Sequence, residues 1–224
     1  MLDSEGLGST EEDVNHDLRL FSLTLLLSSM FIYNTLGSID EQAIDSLGLV
    51  LRLCERMRSE SSNDFPDFYW VLRDFSLALV GKDNQPLTPN KYLEQALSPQ
   101  AGDSEVRNKI RQSIRGSFEY RSCFTFVRPL TNEEELQKLD RLEVDQLRPE
   151  FFEQVLDFRK LINSRVRTKR IKGKEITAEM FVELIKVYTR EINGDSLPQI
   201  ETGWKYVCAR ECEQAIAFTE KKAE

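Results

Sequence analysis

Apolar residues recur along this chain in two rhythms. Three short runs are almost unbroken: Met30-Phe31-Ile32-Tyr33, Phe68-Tyr69-Trp70-Val71-Leu72 and Cys123-Phe124-Thr125-Phe126-Val127. They lack the polar alternation of a half-exposed strand, so each predicts a central strand covered on both faces. Between and around them, apolar positions return every three or four residues, the spacing of one helix face. Leu18, Phe21 and Leu25 predict a buried helix that passes into the first strand. Ser38 with Glu41 reads as a capping box ahead of Ile44, Leu47, Leu51 and Cys54. Thr88-Pro89 marks a further helix start, with Thr as cap and Pro at the first position. Another helix is predicted from about Ser104 to Phe118. Strands that alternate with helices imply an α/β fold, a parallel sheet built from βαβ units with flanking helices.

From Thr131 onward the pattern predicts only helices and one small turn, at Lys172-Gly173. Thr131 with Glu134 makes a second capping box, and Pro149 opens a helix with Phe151, Val155, Phe158 and Ile162 on one face. Thr177 starts a helix that aligns Phe181, Leu184, Ile185 and Tyr188, and a last helix runs from about Ile200. Gly194 and Pro198 separate these two, which divides the chain into residues 1–196 and the start of an all-α region at 197–224. The opening stretch, Asp3 to Asp17, holds two glycines and a run of acids and reads as an exposed loop.

Composition narrows the functional classes. The 224 residues carry a formal charge of −8, which argues against nucleic-acid binding through a phosphate-facing patch. The acidic N-terminus is unlike a signal or transit peptide. Ser22, Thr24, Ser28 and Ser29 interrupt the most apolar stretch, which therefore does not read as a membrane span. Cys208 and Cys212 are spaced to share a helix face, but no second Cys or His pair lies nearby to complete a zinc site. Free thiols in the reducing cytoplasm fit better. His16, the one histidine, reads as an exposed loop residue, and the basic stretch Arg165 to Lys174 as a solvated face.

In open parallel sheets, ligands sit beyond the carboxyl ends of the strands. That rule selects Asn34 and Thr35, Arg73 and Asp74, Arg128 and Pro129, and Asp3 if a strand ends there. Asp3-Ser4-Glu5-Gly6 has the form D-x-x-G, in which an Asp approaches Mg²⁺ and a Gly N–H reaches a γ-phosphate. The same letters also suit an ordinary turn. A carboxylate at Asp74 can accept two N–H bonds from a guanine edge, where adenine presents no matching donors. A solvated ion pair at a loop start is the plainer reading of Arg73-Asp74.

Taken together, the blocks LDSEGLG, LLSSMFIYNTLGSIDEQAIDSL, FYWVLRDFSLAL and QPLTPNKYLEQAL resemble the guanylate-binding protein and atlastin family of large GTPases in order, spacing and wording. The resemblance spans nearly the whole chain. It implies an incomplete P-loop NTPase-like sheet from the third GTPase motif onward, followed by the start of the helical middle domain. It implies GTP as substrate with Mg²⁺, and assigns Asp3 to the magnesium side and Glu5 and Gly6 to the switch. Leu72-Arg73-Asp74 stands as the guanine motif. Phe126-Val127-Arg128-Pro129 resembles the start of the guanine cap, with Arg128 contributing to a contact with a second copy or a related GTPase. The family's G-x-x-x-x-G-K-[ST] loop and arginine finger are expected upstream of Met1. A chain with only the base-reading half is expected to bind GTP poorly and hydrolyse it negligibly. The alternative is a non-catalytic module that dimerises with intact family GTPases and regulates them. Membrane association is expected only of the full-length protein.

Overall fold

The computed structural model describes residues 2–4, 14–48, 65–81, 84–194 and 200–223. Helix α1 (Val14–Leu27) runs into strand β1 (Met30–Leu36), and helix α2 (Glu41–Ser46) follows. Strand β2 (Asp67–Arg73) leads to helices α3 (Pro89–Ala96) and α4 (Glu105–Ser117), and then to strand β3 (Arg121–Thr125). A short helix α5 (Glu133–Leu136) and two 3₁₀ turns precede the long helix α6 (Pro149–Arg165). A hairpin of β4 (Arg170–Ile171) and β5 (Lys174–Glu175) then leads to α7 (Ala178–Asn193) and α8 (Ile200–Ala223).

The three long strands form one parallel sheet in the order β1-β2-β3. Met30 pairs with Asp67 and Leu36 with Arg73, while Phe68 pairs with Arg121 and Leu72 with Thr125. The predicted α/β sheet is therefore present. Phe68, Tyr69, Trp70, Val71 and Leu72 are all buried, as a continuous apolar run in a central parallel strand requires. β1 differs from expectation: among the described residues it is an edge strand, and only Phe31 is fully buried. An apolar run reports burial but does not say which neighbour supplies it. The third strand begins and ends two residues earlier than predicted, although Phe126 N–H still bonds to Leu72 O at 2.8 Å beyond its end.

One apolar cluster ties the sheet to its helices. It joins Phe21 and Leu25 of α1, Phe31, Phe68 and Trp70 of the sheet, Leu93 of α3, and Ile110 and Ile114 of α4. It continues through Leu184 and Tyr188 of α7 to Val207 of α8. The side chains of Phe124 and Phe126 stack instead on α6, with ring centroids 5.0 Å from Phe158 and 5.8 Å from Phe151.

Local signals mark most helix starts. Thr88 and Thr177 accept N–H bonds from Lys91 and Met180, as N-caps do. Two predicted capping boxes shift. Asp40 rather than Ser38 caps α2, accepting from Ala43 N at 2.8 Å. Asn132 rather than Thr131 caps α5. In both places a carboxylate or amide nearer the first turn meets the free N–H, so the hydroxyl upstream is not needed. The opening loop is also shorter than predicted, because residues 14–17 already belong to α1. Leu51 and Cys54 lie outside the described residues. At Lys172-Gly173 the predicted turn closes a hairpin, whose two short strands the expectation of helices and one turn did not include. Both residues have positive φ, 47° and 79°, the geometry of a two-residue hairpin turn.

Candidate functional site

The carboxyl ends of β1, β2 and β3 meet at one edge of the sheet. Directly after β1, the Gly37 N–H bonds to Arg73 O at 2.7 Å. Thr35, one of the strand-end residues singled out above, lies within β1 and accepts from Trp70 Nε1 at 2.9 Å. Leu72, fully buried, is the last core residue of β2. Arg73 is exposed, and Asp74 turns the chain sharply with φ of 52°. A left-handed backbone at a non-glycine residue costs on the order of 1–3 kcal/mol, and Asp is one of the few types that tolerates it. The turn aims Phe75 N–H at Phe126 O, 2.8 Å away, which links β2 to the strand end beside it.

From β3, Arg128 reaches across to this turn. Its Nε lies 3.4 Å from Asp74 Oδ2, and its Nη1 lies 3.3 Å from Glu133 Oε1 on α5. The backbone around it is held on two sides. Val127 N–H donates to Gln154 Oε1 at 2.8 Å, and Arg148 N–H donates to Pro129 O at 2.9 Å. The structure thus brings together Asp74 and Arg128, which stand 54 residues apart in the chain. Asp3 is exposed and makes no hydrogen bond or ion pair with that pair among the described residues. Glu5 and Gly6 lie outside the described residues.

Gln154, Arg148 and Glu133 support the site and were not singled out by sequence. The available signal was Gln154 itself, a polar residue inside the apolar face that Phe151 and Phe158 define. No such signal marks Arg148 or Glu133.

Chemically, Asp74 offers a partly exposed carboxylate at a rigid strand end, which fits a ligand with two adjacent N–H donors. A metal fares differently. Among the described residues no group of three His, Cys, Asp or Glu side chains lies together. Two cavities lie elsewhere. One of about 460 Å³ is lined by Ile39, Glu41, Asp103 and Arg111, and another of about 490 Å³ by Ser28, Asp67, Arg167 and Lys169. Neither includes Asp74 or Arg128. No described helix is long and apolar enough to cross a membrane.

Residues 1–171 match the family model described as guanylate-binding protein, N-terminal domain. The chain is 40% identical over 221 residues to guanylate-binding protein 1 of Homo sapiens, an alignment covering 90% of this chain. It is 39% identical over 219 residues to guanylate-binding protein 3 of Homo sapiens, again over 90% of the chain. It is 36% identical over 234 residues to guanylate-binding protein 6 of Mus musculus, over 96% of the chain. The chain spans 37%, 36% and 38% of the lengths of these relatives, respectively.

Proposed function

The chain belongs to the guanylate-binding protein family, and on that premise we propose that it carries the base-reading half of a GTP-hydrolysing domain. The observation that supports this reading is the carboxylate of Asp74, set at the carboxyl end of the central strand with Arg128 3.4 Å away. A guanine edge presents two adjacent N–H donors that one carboxylate can accept. Adenine presents no such pair of donors, so the carboxylate favours guanine. Leu72 anchors the motif in the core, and Arg73 O ties it to β1 through Gly37.

Arg128 belongs to the cap over the base and to the contact with a second copy or a related GTPase. Residues 1–196 form the nucleotide-binding part, and residues 197–224 begin the helical middle region. Asp3, Glu5 and Gly6 take the phosphate side of the site, with GTP as substrate. The three described cysteines, Cys123, Cys208 and Cys212, are all unpaired, in keeping with a cytoplasmic protein.

The test is Asp74→Ala in the full-length protein, read by competition between GTP and ATP. Guanine preference should fall at least about tenfold, the loss of one hydrogen bond to a charged acceptor. Selectivity equal to wild type would overturn the assignment.

A further inference from the structure

In a strand, successive N–H groups point to alternate sides. Phe126 turns its N–H toward Leu72 and its carbonyl toward Phe75 N–H, both at 2.8 Å. Val127 therefore turns its own N–H outward, away from β2. That donor finds no strand among the described residues; it finds Oε1 of Gln154, at 2.8 Å. Higher on the same edge, Cys123 N–H donates to Asn90 Oδ1, also at 2.8 Å. Side-chain acceptors thus stand in for a neighbouring strand at two places. The two differ in position. Asn90 meets the middle of β3, whereas Gln154 meets the residue immediately before Arg128.

Gln154 is itself held in place. It sits between Phe151 and Phe158 on the face of α6 that packs against the sheet. Those rings lie 5.8 Å and 5.5 Å from Phe126, so α6 cannot slide relative to the strand end without disturbing the rings. On the other side of Arg128, Arg148 N–H holds Pro129 O, and Arg148 Nη1 lies 3.4 Å from Arg128 O. The backbone of Arg128 is clamped from both ends by α6 and the residue that precedes it, while its side chain spans the open edge to Asp74.

We infer that Gln154 is a positioning residue for guanine recognition: by accepting the Val127 N–H it fixes the backbone that delivers Arg128 to Asp74. It touches neither base nor phosphate. The inference rests on the reading of Asp74 as the guanine acceptor. A residue that merely closed the sheet edge would affect stability and leave base preference alone.

The test measures binding of GTP against ATP to the full-length protein carrying Gln154→Leu, Gln154→Glu or Asp74→Ala. Leucine keeps the bulk and loses the acceptor, so the GTP-over-ATP preference should drop on the order of tenfold. Glutamate keeps an oxygen within reach of the same N–H and should retain the preference. If Asp74→Ala loses the preference and Gln154→Leu keeps it, the positioning role falls while the base-reading function stands. Equal weakening for GTP and ATP in Gln154→Leu also overturns it. If neither variant changes the preference, the reading of Asp74 falls and takes this inference with it. Should the leucine variant fail to fold, Gln154→Asn, polar but one methylene too short, replaces it: lost preference supports the role and wild-type preference overturns it.

Discussion

Helix α8 approaches α7 at a point where no side chain intervenes, and this contact sets up a sharp prediction. A Cβ built on Gly203 would lie 2.0 Å from Tyr188 Oη, 2.9 Å from its Cζ and 3.2 Å from Leu184 Cδ2. Tyr188 and Leu184 are each 1% exposed, so the ring has no solvent into which it can swing. Two effects oppose one another in Gly203→Ala. Helix propensity favours alanine by about 1 kcal/mol. Overpacking a closed core costs about 1–3 kcal/mol, and a contact this far inside van der Waals distance belongs at the upper end. The clash wins, with a net loss of about 1–2 kcal/mol, or a fall of about 2–8 °C in melting temperature for a chain of this size. Gly116 in α4 is the control, since it is exposed and a Cβ there meets nothing within 4 Å. Gly116→Ala should leave the melting temperature equal or raise it. Thermal melts by circular dichroism read both, and pairing Gly203→Ala with Tyr188→Ala should cost less than the two changes summed. A Gly203→Ala protein that melts at or above wild type would refute the argument.

Two further outcomes are expected. Hydrogen bonds from Arg111 and Arg107 hold the Asp103 carboxyl down at about 2, from 3.8. Because the folded value is the lower one, this contribution is complete above the unfolded value and is lost as pH falls from about 4 to about 2. Asp103→Asn should therefore flatten the acid limb of a melting-temperature profile, and an unchanged limb would contradict the role of this cluster. Burial pushes the Cys123 thiol up to about 12, whereas Cys212 is exposed. An alkylating reagent at about pH 8 should modify Cys212 in the native protein and Cys123 only after denaturation. Peptide mass spectrometry that finds both labelled at equal rates would rule out the buried placement of Cys123.

Much of this molecule is written locally. The unbroken run from Phe68 to Leu72 announces a strand with both faces covered, because only such a position leaves no alternate residue in water. Thr88 with Pro89, Pro149 and Thr177 each mark a helix start, because free N–H groups at a first turn need either an acceptor or a residue that lacks the donor. Strand and helix alternation then leaves few topologies besides a parallel sheet, and the strand ends become the place to look for ligands. In this way Asp74 and Arg128 were each visible as candidates.

What tertiary structure decided is everything that depends on which distant segments meet. Nothing local states that Arg128 reaches Asp74, that β1 lies at the edge of the described sheet while β2 is central, or that Asn90 and Gln154 close the outer side of β3. Nor does a glycine in a helical pattern reveal that Tyr188 fills the space where its side chain would be. Caps and apolar periods are enforced within a few residues, where the chain itself supplies the partner. The Asp74–Arg128 pair, the edge caps and the Gly203 contact require loop closure and the packing of a shared core, and their partners exist only once the whole chain has closed around them.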